Sequence, residues 1–369
     1  MSPRALPALL VLAAMAAPSP ALAQDVGVKA LFSYVGDWDA VAAGGRSNSA
    51  TYAHALAAGF TGPIGGGWSW TAQGAWTAGA NLSARAIGDV QGVQGPFNTG
   101  DGLWLYEMKA TYRSEALMFQ AGRLSAGDAL PGVAGMSQFV NSAFSSNGGA
   151  ITLNDPGRAA TPAATWGAWG KAQAGPVELR GGAFLSDPRR MTLDKHGLDL
   201  RFRPADGVLG FGEAVAPVGA GFRAGLGGYG DSARFQTFDG RTVRGDAGWY
   251  LWLERPAAEK GESLSGFAML QAAPRRDRNL EPLFLIGGVT WQGFNPARPS
   301  DSVSLGATTG EFSGRSPLRG HESLFEANYR WAVSEHLGLR PDVQWVISPG
   351  GKGGGRDALV VGVQLEAGL

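Results

Sequence analysis

His54, His196, His321 and His336 are the chain's four imidazoles, and none stands in the H-E-x-x-H spacing that sets two metal ligands on one helical face. No G-x-S-x-G turn offers a nucleophile, no G-x-x-x-x-G-K-[ST] loop cradles a phosphate, and cysteine is absent. The glycine-rich run 350–355, GGKGGG, lacks a following Ser or Thr and reads as a loop. An enzyme, a metal site and a bound cofactor are therefore not expected. What remains for chemistry is a set of charges at strand-like spacing. Glu107 and Lys109, two residues apart, fall on one face of a strand, and Arg123 lies where the next strand enters a long loop. Cations beside carboxylates, with no nucleophile between them, exchange hydrogen bonds with a polar solute and let it go again.

The elements that would position these charges are strands. Period-2 alternation recurs in segments of about ten residues, the length that crosses a bilayer as a tilted strand. Leu359, Val361, Val363 and Leu365 oppose Gly362, Gln364 and Glu366; Leu337, Leu339, Val343 and Trp345 oppose Arg340, Asp342 and Gln344. Phe325, Ala327, Tyr329 and Trp331 oppose Glu326, Asn328 and Arg330, and Trp68, Trp70, Ala72, Gly74 and Trp76 oppose Ser69, Thr71 and Gln73. Such alternation separates core from solvent in a soluble sandwich and lipid from lumen in a membrane barrel. The connections decide between them. Sixteen segments are expected, at 27–36, 52–62, 67–77, 103–112, 116–124, 164–174, 176–184, 207–216, 219–229, 246–254, 263–272, 282–291, 302–311, 322–332, 336–347 and 357–369. The first links of odd rank, 37–51, 78–102, 125–163 and 185–206, are long, whereas those at 63–66, 113–115, 175 and 217–218 are short. Short-long alternation over an even strand count is the pattern of an outer-membrane barrel with tight periplasmic turns and long external loops, and a Greek-key sandwich has no reason to produce it. The segment 196–203, which could also pair as a strand, is assigned to the fourth external loop. Trp104, Tyr106 and Tyr112 are read as girdle residues on the apolar face.

Composition agrees. Gly 58 and Trp 12 with only 17% charged residues suit strands and tight turns more than charged amphipathic helices. Lys+Arg and Asp+Glu are equal at 31 each, which leaves no electrostatic footprint for nucleic acid. Residues 1–23 read as a secretory signal: Arg4, an apolar stretch at 9–17, and Ala21-Leu22-Ala23 as the cleavage site. The expectation is a leader at 1–23 followed by one closed, all-β, antiparallel outer-membrane barrel over 24–369.

Several stretches, in order, resemble the carbohydrate-selective porins of the OprB type: LSARAIGDVQGV at 82–93, LYE at 105–107, AGRL at 121–124, NSAF at 141–144, GAF at 182–184 leading to Asp187 and Pro188, PRRDRN at 274–279, PDVQW at 341–345, and the PGG turn at 349–351 followed by DAL at 357–359. The resemblance implies a sixteen-stranded monomeric barrel whose narrowed eyelet passes glucose and related sugars by diffusion. Two departures stand out. The family's acidic residue after Leu124 is displaced, with Gly127 in its place and Asp128 one step on, and the chain ends in Leu369 where many such barrels end in an aromatic.

On that reading Glu107, Arg123 and Lys109 are the first eyelet candidates, and Arg85 in the family-like second loop is the next. Arg123 falls on the outward phase of a regular strand, so it must lie past the strand end or beyond a bulge to reach the lumen. The loop 125–163 is too long for a plain connection and is expected to fold into the lumen, which makes Phe139, Asn141 and Phe144 lining residues. The plain alternative for each charge is a lumen ion pair with a neighbour on the wall. Expected partners are permeating sugars, outer-membrane lipid and the barrel-assembly machinery, with the barrel a monomer or homotrimer. Two rival functions remain: a channel for anions or organic acids, suggested by Arg275, Arg276 and Arg278 at the mouth, and a plugged structural barrel.

Overall fold

The computed structural model describes residues 27–96, 101–129, 132–145, 148–189, 196–258 and 262–369, so the expected leader lies outside the described residues. Sixteen strands follow one another along the chain. The first eight are β1 (Lys29–Gly44), β2 (Ala50–Gly65), β3 (Trp68–Gly79), β4 (Gly102–Arg113), β5 (Leu117–Leu124), β6 (Thr165–Ala174), β7 (Val177–Leu185) and β8 (Val208–Gly219). They continue as β9 (Phe222–Gln236), β10 (Thr242–Arg255), β11 (Ser263–Ala272), β12 (Leu283–Gln292), β13 (Ser302–Glu311), β14 (His321–Ser334), β15 (Leu337–Ile347) and β16 (Ala358–Gly368). Each pairs antiparallel with its chain neighbours, and β1 pairs with β16 from Ser33↔Gly368 to Gly44↔Ala358, which closes the barrel. Closure removes the open edges that lipid could not hydrogen-bond.

Alternation dictates which face meets what. On β10, Trp249, Leu251 and Leu253 are 43–48% exposed, while Tyr250, Trp252 and Glu254 between them are at most 1% exposed. The exposed set is the lipid face, where a basic side chain at the bilayer midplane would cost about 2–4 kcal/mol. The buried set points inward, so this molecule packs its core inside the lumen. There Leu82, Ile87, Met136, Phe139, Phe144 and Ile151 of the inner loops lie against Tyr229, Trp252, Phe267, Phe284 and Ile286 of the wall.

The strands match the expected sixteen, with three local differences. The expected first loop 37–51 contracts to 45–49, because β1 and β2 stay paired through Asp37↔Ala53 and Asp39↔Thr51. Aspartates read as loop residues are tolerated in a strand whose inner face is not lipid. The link between β9 and β10 contracts likewise, to 237–241. On β4, Gln73 faces Glu107 and Gly74 faces Leu105, so Tyr106 is an extra bulged residue. The bulge reverses the phase of the upper strand. Trp104 is 5% exposed with its indole N–H on Thr77 Oγ1 at 3.3 Å, and Tyr106 turns inward. Neither belongs to an outer girdle; Tyr112, packed on Trp68 at 5.3 Å, does lie on the outer face. The segment 196–203 carries no strand and belongs to the loop 186–207, as assigned.

Candidate functional site: the constricted lumen

The loop 125–164 turns inward after β5 and is pinned to one cross-strand row of the wall. That row runs Glu254–Phe267–Gly288–Gly306–Glu326–Gln344, one residue from each of β10 to β15, all on the inner face. Each member engages the loop. Glu254 accepts from Gly135 N at 2.7 Å, and Glu326 accepts from Val140 N at 2.8 Å and Asn141 N at 3.0 Å. Gln344 Oε1 accepts from Asn141 Nδ2 at 2.9 Å. Between these polar ends the two glycines form a hollow that holds Phe139 and Phe144, stacked at 4.2 Å with Phe267 against their edges. A Cβ on Gly288 would stand 2.5 Å from Phe139, and one on Gly306 would stand 2.6 Å from Phe139 and 2.7 Å from Phe144. The loop 80–101 is held the same way, with Glu322 accepting from Val90 and Gln91 N–H at 3.0–3.1 Å. Carboxylates that accept two backbone N–H groups are strong anchors, because each bond is charge-assisted.

The inner loops leave a cavity of about 340 Å3 against the wall of β15, β16 and β1 to β4. Small residues, among them Ser33, Ala55, Ala57 and Ala75, give it width. Its polar groups are Arg340, Gln364 and Glu366 on the wall, faced by Asn141, Thr161 and Tyr106. Arg340 Nη2 meets Glu366 Oε1 at 2.9 Å and Arg340 Nη1 donates to Gln364 Oε1 at 3.1 Å. Arg330 Nε closes the set on Glu366 Oε2 at 3.0 Å. Planar donors, a shared carboxylate and an aromatic ring side by side can trade hydrogen bonds with hydroxyls and offer an apolar face to C–H groups.

The residues singled out from sequence are dispersed. Glu107 and Lys109 face the lumen as an ion pair of 2.6 Å, close to the root of the inner loop. Tyr106 beside them donates to Asp128 Oδ2 at 3.3 Å, and Thr161 Oγ1 donates to the other oxygen of Asp128 at 3.1 Å. Burial raises the Asp128 carboxyl above the usual range, with the Lys109 charge opposing it. Arg85 is exposed on the turn Ser83–Ile87 and does not line the cavity. Asn141 lines it, while its Oδ1 caps Ala143 N at 2.9 Å. Phe139 borders it, but its ring and that of Phe144 serve mainly to seat the loop, and Phe144 is 1% exposed.

Arg123 requires correction as an eyelet candidate. β5 is regular to its end, so Arg123 keeps the outward phase in a row with Met108 and Trp166. Its guanidinium is buried under loop 186–207, on the carbonyls of Gly197, Asp199 and Ala164 at 2.7–2.9 Å. Arg340, Gln364 and Glu366 were not singled out from the sequence. Alternation places their side chains inward, but nothing local reports the height at which the inner loop approaches them.

At the far end of the inner loop, α1 (Ala150–Asn154) leads into Asp155, which is fully buried facing the carboxylates of Asp231 and Asp246. Burial, then those two negative charges, push the Asp155 carboxyl well above its usual range, and Arg158 offsets this only in part. A raised carboxyl binds its proton more tightly in the folded chain than in the unfolded one. Stability from this group is thus full below the ordinary aspartate range and declines as pH rises toward the folded value. Asp155→Asn, which keeps the acceptor for Gly157 N, is expected to raise the unfolding temperature at neutral pH and to change little in acid. Circular dichroism melts in detergent at both pH values test this; equal destabilisation at both would refute it.

A closed sixteen-stranded barrel whose lumen is narrowed by an infolded loop has the architecture of the outer-membrane porins, a fold that points to a channel. Residues 66–369 match the family described as carbohydrate-selective porin, OprB family. The chain belongs to that family and resides in the bacterial outer membrane. Among solved structures it resembles the high-pH structure of OprB from Pseudomonas putida, with TM-score 0.83 and 22% identity over 94% of this chain and 95% of that one. The low-pH structure of the same protein gives TM-score 0.60 and 17% identity over 94% of each. OmpF of Salmonella typhi, in complex with daunomycin, gives 0.56 and 10% over 93% and 98%. At these identities the likeness carries the fold. No curated protein matches the chain at a significant level.

Proposed function

We propose that monosaccharide-sized sugars of the glucose type diffuse through the passage between the inner loop and the β15–β16–β1 wall. The observation that carries this reading is the Arg340–Glu366–Gln364 set facing Asn141 and Tyr106 across a cavity of about 340 Å3. That volume falls within the about 300–1,000 Å3 typical of small-molecule sites, and its polar groups contact a solute without a net charge to trap it. An anion or organic-acid channel is less well supported. Arg276 at the mouth is paired with Glu311 at 2.8 Å and Arg278 with Asp277 at 2.9 Å, so two of the three clustered arginines are already neutralised. We further infer that residues 1–23 are a leader removed on export, that the barrel-assembly machinery inserts the chain, and that it works as a monomer or homotrimer without catalysis.

Liposome swelling with glucose tests for an open pore, and absence of swelling with any small solute would leave a plugged barrel. Block of single-channel current by glucose tests the site. Arg340→Ala is expected to weaken block by roughly three- to tenfold, since a lost hydrogen bond is worth about 0.5–1.5 kcal/mol. Arg123→Ala should leave the block constant unchanged. Unaltered block with Arg340→Ala would reject the assignment.

A further inference from the structure

The barrel wall lacks a strand between the upper parts of β4 and β6. β4 pairs with β3 along 102–112 but with β5 only along 108–113, because β5 ends at Leu124 where the chain turns into the lumen. The segment 196–203 crosses this gap on the outside. His196 O accepts from Leu105 N at 2.8 Å, its Nδ1 lies 2.9 Å from Leu103 O, and Trp166 Nε1 donates to Leu200 O at 2.8 Å. Arg123, held beneath on the outward row, binds the strap's carbonyls at Gly197 and Asp199. The strap therefore satisfies a strand edge that lipid could not.

Its outer side is composed differently from the rest of the wall. Leu198, Leu200 and Phe202 are 67%, 47% and 69% exposed, next to Leu103 at 67%. They continue the apolar band that includes Met108 at 41%. Interleaved or adjoining are Arg201, Arg203 and Arg189, all largely exposed. Asp199 pairs with Arg201 at 2.6 Å from the better-shielded side. On β10 the outward residues Trp249, Leu251 and Leu253 are apolar, and arginines face outward only farther along, where Arg244 lies opposite Arg234 of β9.

We propose that the strap 196–203 is a docking surface for a phosphorylated acyl lipid of the external leaflet. The acyl chains lie on Leu103, Leu198, Leu200 and Phe202, and the phosphate meets the exposed guanidinium of Arg203, Arg201 being already held by Asp199 at 2.6 Å. The apolar stripe is continuous with the lipid band, and an arginine beside it complements a phosphate, whereas a neighbouring barrel would present another apolar wall with no anion to meet it. The lipid would then hold shut, from outside, the gap that the inner loop leaves in the wall.

The test is lipid retention by the full-length mature barrel in native mass spectrometry, with phosphatidic acid and phosphatidylcholine of matched chains as probes. The wild type is expected to favour phosphatidic acid, and Arg203→Gln to lose that preference by about fivefold. Leu198→Ser with Phe202→Ser should lower retention of both lipids. The Arg203 side chain makes no bond to the strap among the described residues, so Arg203→Gln should fold as the wild type does, and unchanged glucose block confirms an intact lumen. Equal retention of the two lipids by the wild type would overturn the proposal. So would a dimer or trimer mass that the Leu198→Ser, Phe202→Ser variant abolishes, which would assign the face to a second copy.

Discussion

Glu326→Ala is expected to raise single-channel conductance several-fold and to let the pore admit sugars larger than a monosaccharide. The Glu326 carboxylate is 2% exposed and accepts three hydrogen bonds, from Val140 N, Asn141 N and Asn328 Nδ2 at 2.8–3.0 Å. Removing it leaves two buried N–H groups of the inner loop unpaired, at about 1–3 kcal/mol each. That is comparable to what holds a loop segment in place, so the loop around 139–142 should lift from the wall. Because Asn141 lines the passage, lifting it widens the pore. Glu326→Gln keeps an acceptor and a similar shape but loses the charge, and an intermediate conductance is expected. Planar-bilayer recording with a series of oligosaccharides measures both effects. Wild-type conductance in Glu326→Ala would mean that the phenylalanine pair and Gln344 hold the loop unaided.

The contrast between Glu326 and Arg123 shows how far the sequence could be read. Both are charged residues within period-2 segments. Alternation put Glu326 on the inner face correctly, and it also put Arg123 outward, where the structure finds it. The eyelet role for Arg123 came from its place where the strand enters the long loop, and needed it to lie past the strand end or beyond a bulge, whereas the strand stays paired in register through Leu124. The bulge is at Tyr106, on the neighbouring strand β4, and no local residue type announces it. Strand number and order were legible because period 2 and alternating loop lengths are properties of contiguous sequence. Which residues share a height around the barrel is a property of register across six or more strands. A row such as Glu254–Phe267–Gly288–Gly306–Glu326–Gln344 is spread over some ninety positions, and nothing within any one segment marks its member. For the same reason Phe144 looked like a lining residue: a loop sequence shows that a ring is available, and only the facing Gly306 shows that it is seated.

That glycine carries the second large effect. Gly306→Val is expected to leave the barrel folded and inserted but to give a larger, noisier channel with weakened sugar block. The side chain added at Gly306 enters the hollow occupied by both rings, with Cβ alone at 2.6 Å from Phe139 and 2.7 Å from Phe144, far inside van der Waals contact. The strand itself has no objection, since valine is a good strand residue and the ladder to β12 and β14 is untouched. Overpacking of this kind costs about 1–3 kcal/mol when the neighbours can move. Here the neighbours that can move belong to the inner loop, because Phe267 and the two strands are fixed in the wall. The strain therefore acts on the constriction and not on the barrel. If that is the mechanism, Phe144→Ala should restore quieter conductance in the Gly306→Val background by giving the Phe139 ring room to shift away from the new side chain, although on its own it removes a seated ring and should disturb the channel. Such coupling between two substitutions is the mark of a shared site. Strictly additive effects in single-channel recordings, or a Gly306→Val barrel that fails to show the heat-dependent mobility of the folded protein, would place the strain in the wall instead.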